Sequence, residues 1–350
     1  MSLAERLRRR IDAFGPIDLG EYMRLALADP DWGYYRTRDP FGAAGDFVTA
    51  PEVSQMFGEL IGLWSAMVWR QMGEPDPVLL VELGPGRGTM IADAWRALAV
   101  APGFRGAARL HLVESSPTLE QRQRQTLLGV DATWHRSIES LPEGPAIVLA
   151  NEFVDALPIR QIQRTASGWL ERLVEVDPQG GFRFALGPST LAGLLPERLV
   201  DAPPGSVVEL APARIALADT LARRIAAQGA ALVIDYGHNE SATGDTLQAL
   251  KAHKPHPPLA DPGEADLTAH VDFEAFARAA REAGARVHGP VEQGLWLGRL
   301  GVEERARRLS AARPSVMADL ARLIGADEMG TLFKVLALTP THQPTPPGFE

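Results

Sequence analysis

The 350-residue chain is 45% hydrophobic, enough for a sizeable core in one large domain with insertions or in two domains, and its formal net charge is −9. It contains no cysteine, which excludes disulfides, thiolate zinc sites and cysteine nucleophiles, and no apolar run approaches the ~18 residues of a membrane span. The acidic balance argues against a general nucleic-acid binder, which presents a basic face. Met1 to Ile11 is basic but lacks the apolar h-region of a secretory signal. It mimics a mitochondrial presequence, but Leu3, Leu7 and Ile11 recur at helical spacing, so an amphipathic first helix is the preferred reading. A second helix start is expected at Asp18, a capping residue with Glu21 three positions on. The loop from Phe41 to Ser54, which includes Thr49 and Pro51, is rich in Gly, Asp and Phe. It reads as a lid over a ligand or as a purely structural cap. A helix from Ser54 to about Met72 closes an N-terminal region of residues 1–75.

The core begins with Val78 to Leu83, a buried strand of branched apolar residues, and runs into Glu82-x-Gly84-Pro85-Gly86-x-Gly88 and then a helix from Thr89. Strand, tight glycine turn and helix N-terminus is how α/β folds hold a nucleotide-like ligand, because glycine permits both the backbone angles and the close approach. The spacing departs from the dinucleotide pattern and resembles the cofactor motif of S-adenosyl-L-methionine (SAM) dependent methyltransferases. SAM carries a sulfonium and an ammonium and no phosphate, so an acid such as Glu82 favours it and repels a pyrophosphate. The second strand, Arg109 to Glu114, ends in an acid 32 residues after Glu82. That position suits hydrogen bonds from ribose hydroxyls. Ser116 to Leu128 is helical, with Arg122 and Arg124 on a solvated face. Thr133 to Ile138 is a third strand, whose end at Ser137 and Ile138 falls where such folds contact adenine.

Strand four, Ala146 to Ala150, leads into Asn151-Glu152-Phe153-Val154-Asp155-Ala156-Leu157-Pro158. Acids at the carboxyl end of a central strand sit where open α/β sheets bind ligands, although Asn151 and Asp155 also suit a simple turn cap. Residues 160–186 alternate as an antiparallel meander, within an insertion reaching about residue 205. Pro212 to Gln228 is a helix and Gly229 to His238 a fifth strand carrying Asp235 and Tyr236 near its polar end. Residues 239–272 read as a long, substrate-facing loop. Its histidines, His253, His256 and His270, are not expected to bind metal. A helix from Asp272 to Ala283, a sixth strand from Ala285, a helical insertion at 302–326 and a last antiparallel strand over Thr331 to Leu338 complete a core of residues 76–340. Residues 341–350 read as a flexible tail.

The stretches Gly45 to Ser54, Glu82 to Thr89, Asn151 to Pro158, Val233 to Gly237 and Asp266 to Phe273 together resemble the MidA-like methyltransferases. The likeness runs from about Pro16 to about Thr339. It implies an α/β fold: a Rossmann-like, seven-stranded SAM-dependent methyltransferase core, with a helical N-terminal region and inserted antiparallel strands and helices. It implies SAM as cofactor, held by Glu82, Gly84, Pro85, Gly86, Gly88, Glu114, Ser137, Ile138, Asn151, Thr49 and Pro51. It also implies a protein-arginine acceptor, with a quinone-side subunit of respiratory complex I as candidate, and a role in complex I assembly. The expected compartment is the bacterial cytoplasm, or the mitochondrion in a eukaryote. A guanidinium is planar and cationic, so paired carboxylates suit it; Glu152, Asp155 and Asp235 are the catalytic candidates, with Tyr236 as a further partner. Methylation of a small molecule or RNA, and a non-catalytic scaffold that keeps the fold, remain as alternatives.

Overall fold

The computed structural model describes residues 2–37 and 49–350. Seven strands form the central sheet: β1 (Val78–Leu83), β2 (Ala108–Val113), β3 (Ala132–His135), β4 (Ala146–Asn151), β5 (Gly229–His238), β6 (Arg286–Glu292) and β7 (Phe333–Thr339). Their order is β6-β7-β5-β4-β1-β2-β3. β7 lies antiparallel to both β5 and β6, while β3, β2, β1, β4 and β5 run parallel. A two-residue bridge, Val271–Asp272, extends the sheet beside the end of β5.

β1 is apolar along nearly its whole length because helices cover both faces of the sheet. Val78, Leu80, Ile147, Leu149, Leu232 and Ile234 face a layer that includes the helices Gln55–Gln71 and Thr89–Ala97. Leu79, Val81, Val148, Ala150, Ala231 and Val233 face the helices Pro212–Ile225 and Phe273–Glu282. Among the described residues, no helix is long and apolar enough to cross a membrane.

A third apolar cluster joins the N-terminal helices Leu3–Phe14 and Leu19–Ala28 to the inserted strands. Asp18 caps the second of these helices, accepting from the Glu21 N–H at 2.8 Å. The expected meander is present as Arg160–Thr165, Gly168–Val176 and Phe182–Gly187. Val207–Leu210 and Ile17–Asp18 extend it to a five-stranded sheet.

Two expectations need correction. The segment 239–272, read as a loop, contains a small antiparallel sheet of Gln248–Lys251, Lys254–His256 and Asp266–Thr268. These strands are too short to display a period of two, and their pairing rests on backbone groups that the sequence pattern does not reveal. The stretch Val302 to Ile324 is helical as expected, in two helices, Val302–Ser310 and Val316–Ile324, parted by a turn containing Pro314, and a further helix, Gln293–Arg299, precedes them. Residues 341–350 are held against the core instead of forming a loose tail. The Trp64 indole N–H donates to the Pro347 carbonyl at 3.1 Å, Gln71 to Thr345 at 3.1 Å and Arg299 to Gly348 at 2.9 Å. The Phe349 ring lies 6.4 Å from that of Trp296. A proline-rich chain loses donors but keeps its carbonyls, and here core side chains bind them. Of the loop read as a lid, residues 41–48 lie outside the described residues.

Candidate active site

The carboxyl ends of β1, β2, β4 and β5 surround two neighbouring cavities. One, of about 390 Å³, is lined by Tyr35, Glu114, Asp155, Tyr236, Asp266, His270 and Phe333 among others. The other, of about 40 Å³, is lined by Thr49, Pro51, Glu82, Pro85 and Asn151 among others. Gly84, Gly86 and Glu152 line both, so the glycine turn and Glu152 stand between the two spaces.

The turn could not be built without glycine. Gly84 has φ of 59°, and a Cβ there would lie 2.5 Å from the Phe153 ring. Gly88 sits one step further out. It caps the helix Thr89–Ala97 in a left-handed conformation, and it lines neither cavity.

Glu82 is 3% exposed, and its Oε2 has no hydrogen-bond partner among the described residues. Burial pushes its carboxyl up to about 8. An unpartnered buried carboxylate beside a glycine turn is costly unless a cation or donor meets it. A ligand with an ammonium and a sulfonium meets that need, so the residues present fit SAM. Asn151 Oδ1 in the same small cavity is likewise buried without a partner among the described residues.

Glu114 follows β2 and is also buried. Its Oε1 accepts from the Ser116 N–H at 2.7 Å and its Oε2 from Gln123 Nε2 at 3.0 Å. The Ser115 N–H also bonds this carboxylate, which with about four acceptor sites still has capacity for a ribose hydroxyl. Burial raises this carboxyl, and those donors pull it back.

On the other side stands the turn after β4. Glu152 takes a left-handed backbone, φ 47°, which is strained for a residue with a Cβ. Its Oε1 accepts from the Ala50 N–H at 2.9 Å and from Asn151 Nδ2 at 3.2 Å. No hydrogen bond among the described residues takes its Oε2. Burial first, then the charge of Asp155, raises Glu152 to about 8 against those donors. Asp155 is 5% exposed and accepts from the Ala156 N–H at 2.8 Å and from the Tyr236 hydroxyl. Burial raises it, and the buried Arg214 guanidinium lowers it.

Asp235 does not reach either cavity, contrary to its expected role at the acceptor. It is fully buried beneath the turn, where its Oδ2 accepts from Val154 N–H at 2.9 Å and Asp155 N–H at 3.1 Å. Its Oδ1 accepts from the Tyr236 N–H at 3.0 Å. Arg214 clamps the same turn from below, donating to the carbonyls of Asp155 at 2.8 Å and His270 at 2.6 Å. Asp235 therefore shapes the turn that presents Glu152 and Asp155.

Ser137 and Ile138 line neither cavity among the described residues. β3 ends at His135, and the chain then coils into a short 3-10 turn over Ile138–Ser140, where Ile138 packs on the core and the Ser137 carbonyl accepts from the Ser140 hydroxyl at 2.7 Å. The strand was read three residues too long, which carried both side chains past the cofactor end.

The segment 239–272, expected to face the substrate, does line the large cavity, but sequence reasoning named no side chain of it and missed Tyr35. Tyr35 donates to Asp266 Oδ1 at 2.7 Å, and Gln248, Leu250, Thr268 and His270 come from the small inserted sheet or its edge. The run Asp266 to Phe273 was part of the family likeness, but nothing in its composition pointed at the cavity. Gln123 and Arg214 were also missed, because each lies in a helix that reads as ordinary and amphipathic. Among the described residues, no group of three or more His, Asp or Glu is placed to hold a metal ion.

Residues 60–291 match the family of S-adenosyl-L-methionine-dependent methyltransferases. Over 97% of its length the chain is 41% identical to the mitochondrial protein arginine methyltransferase NDUFAF7 homolog of Drosophila melanogaster, covering 85% of that protein. It is 36% identical to the mitochondrial protein arginine methyltransferase NDUFAF7 of Homo sapiens, over 97% of this chain and 84% of that one. Among solved structures, a COG1565 superfamily member from Burkholderia thailandensis bound to S-adenosyl-homocysteine superimposes with a TM-score of 0.88 at 32% identity, covering 99% of this chain and 92% of that one.

Proposed function

The chain belongs to the family of S-adenosyl-L-methionine-dependent methyltransferases, and from that premise we propose that it methylates an arginine of a protein acceptor linked to respiratory complex I assembly. One observation carries the acceptor: besides Glu114, which is left to the ribose, three carboxylates, of Glu152, Asp155 and Asp266, line the large cavity, which opens onto the glycine turn. Leu27, Leu157, Leu250 and Phe333 supply apolar wall between them, suited to the aliphatic stem of an arginine. The names of the relatives from fly and human, protein arginine methyltransferases, support a protein-arginine acceptor. Their mitochondrial labels fit work beside the respiratory chain; in a bacterial cell the corresponding compartment is the cytoplasm.

When bound, SAM supplies an electrophilic methyl group on its sulfonium. The chain's own residues then have to place one guanidinium nitrogen in line with that methyl group and exclude water. Glu152 stands at the junction of the two cavities and accepts an acceptor N–H through Oε2. Asp155, braced by the Tyr236 hydroxyl, grips a second nitrogen and receives the proton lost as the nitrogen is alkylated. A carboxyl raised by burial is suited to that proton, since it is a stronger base than a solvated one.

Amino-acid analysis tests the acceptor. Proteins from cells lacking this gene are incubated with the enzyme and labelled SAM and then hydrolysed. Label in methylarginine is expected; label in methyllysine, RNA or small molecules overturns the proposal.

A further inference from the structure

We propose that Gln123 is a positioning residue that locks Glu114 to the glycine turn and so sets how strongly the site reads the cofactor's ribose. This rests on the reading of Glu114 as the ribose acceptor. Gln123 is fully buried in the helix Pro117–Thr126. Its Nε2 donates to the Gly86 carbonyl at 2.8 Å and to Glu114 Oε2 at 3.0 Å. Its orientation is fixed from the other end. The Trp134 indole N–H, which can only donate, reaches Gln123 Oε1 at 2.9 Å. The amide oxygen is therefore the acceptor and the NH₂ group must face the turn and the acid.

One side chain thus ties together three pieces of chain that are distant in sequence: the turn after β1, the acid after β2, and β3. Backbone bonds complete the frame, with the Gly84 N–H donating to the Val113 carbonyl at 3.0 Å and the Glu114 N–H to the His135 carbonyl at 2.9 Å. Neither of these constrains the Glu114 carboxylate. With the Ser116 N–H on one oxygen, Gln123 on the other and the Ser115 N–H as a further donor, the carboxylate is held in one rotamer with acceptor capacity left for the ribose. Without Gln123, a buried acid raised by its surroundings loses a donor that favours its charged form. It then swings or takes a proton, and its bonds to the hydroxyls weaken.

The test compares S-adenosylhomocysteine with its 2′-deoxy and 3′-deoxy analogues by calorimetry in wild type, Gln123→Met, Trp134→Phe and Glu114→Ala. A hydrogen bond to a charged acceptor makes wild type favour the intact ribose by about tenfold to a hundredfold. Gln123→Met, which keeps the volume and removes the donor, is expected to weaken S-adenosylhomocysteine by about tenfold and the better-discriminated deoxy analogue by less than about twofold. Trp134→Phe, which frees the amide to flip, is expected to reduce the discrimination in the same direction by a smaller factor. A merely structural role weakens all three ligands equally and overturns the proposal, as does unchanged discrimination in Gln123→Met. Should Gln123→Met fail to fold, unchanged discrimination in Trp134→Phe overturns it instead. Glu114→Ala separates the two layers. If it keeps wild-type discrimination, the ribose reading itself falls; if it loses discrimination while Gln123→Met keeps it, only the role of Gln123 falls.

Discussion

Near the end of β1, Glu82 has an oxygen that none of the described residues satisfies, and the energetic cost of that arrangement is recovered only when a cation arrives. With its carboxyl raised to about 8, the group is largely neutral at pH 6 and gains charge as pH rises toward 8. Cation binding favours the ionised form, so a proton leaves as SAM binds. SAM affinity is therefore expected to rise between pH 6 and 7.5, by up to about tenfold per unit, and to be flat over that range in Glu82→Gln. Titration calorimetry at several pH values reads both; equal slopes would remove Glu82 from the site. Glu82, Glu114, Glu152 and the glycines were legible because acids at strand ends and a turn that only glycine can make are visible in one dimension. The partners that set their charge were not. The Ala50 N–H that holds Glu152 comes from 102 residues away, and no local pattern announces such a contact.

The turn from Asn151 to Pro158 presents both proposed acceptor-gripping acids, and its shape comes from beneath. Asp235 takes three backbone N–H groups there, two of them from the turn itself. Asp235→Ala strips buried donors of their acceptor, and at about 1–3 kcal/mol for each orphaned group the variant is expected to lose roughly 3–5 kcal/mol of stability. Chemical denaturation checks this; a midpoint equal to wild type would mean the turn holds its shape without Asp235. Asp235 looked catalytic in sequence because an acid near the end of β5 and an acid facing the cleft read alike. The strand's register decides between them, and it turns this residue inward. Likewise β3 was recognised but drawn too long, since the apolar character of Ile138 continues a strand pattern that the backbone has already left.

At the level of the whole molecule, a parallel sheet with helices on both faces supplies the rigid floor, and the inserted segments build the cavity above it. The floor was readable from β1, β2, β4 and β5, whose buried apolar runs cannot be mistaken for surface. The wall was readable only as a long segment facing the substrate, because its strands Gln248–Lys251 and Asp266–Thr268 are three or four residues long and acquire meaning only by pairing. The C-terminal segment was misjudged for a related reason: proline-rich composition describes what a chain cannot pair with, not which donors bind its carbonyls. Removing residues 341–350 leaves the Trp64 indole N–H without its acceptor and uncovers Trp296. The truncated protein is expected to be less stable by roughly 2–5 kcal/mol, with SAM affinity unchanged, since no residue of that segment lines either cavity. Thermal unfolding with and without SAM checks this, and full stability in the truncated protein would show that the segment only rests on the surface.

The account stands or falls on whether the acidic cavity delivers a methyl group to an arginine. The most direct measurement is transfer of labelled methyl from SAM into extracts of cells lacking this gene, by wild type and by Glu152→Gln, with the modified residue mapped by mass spectrometry. One labelled protein carrying methylarginine with wild type, and none with Glu152→Gln while that variant binds SAM within about threefold of wild type, is the result expected of a residue that grips the acceptor and leaves the cofactor alone. Equal labelling by the variant, or label on anything other than arginine, would contradict it.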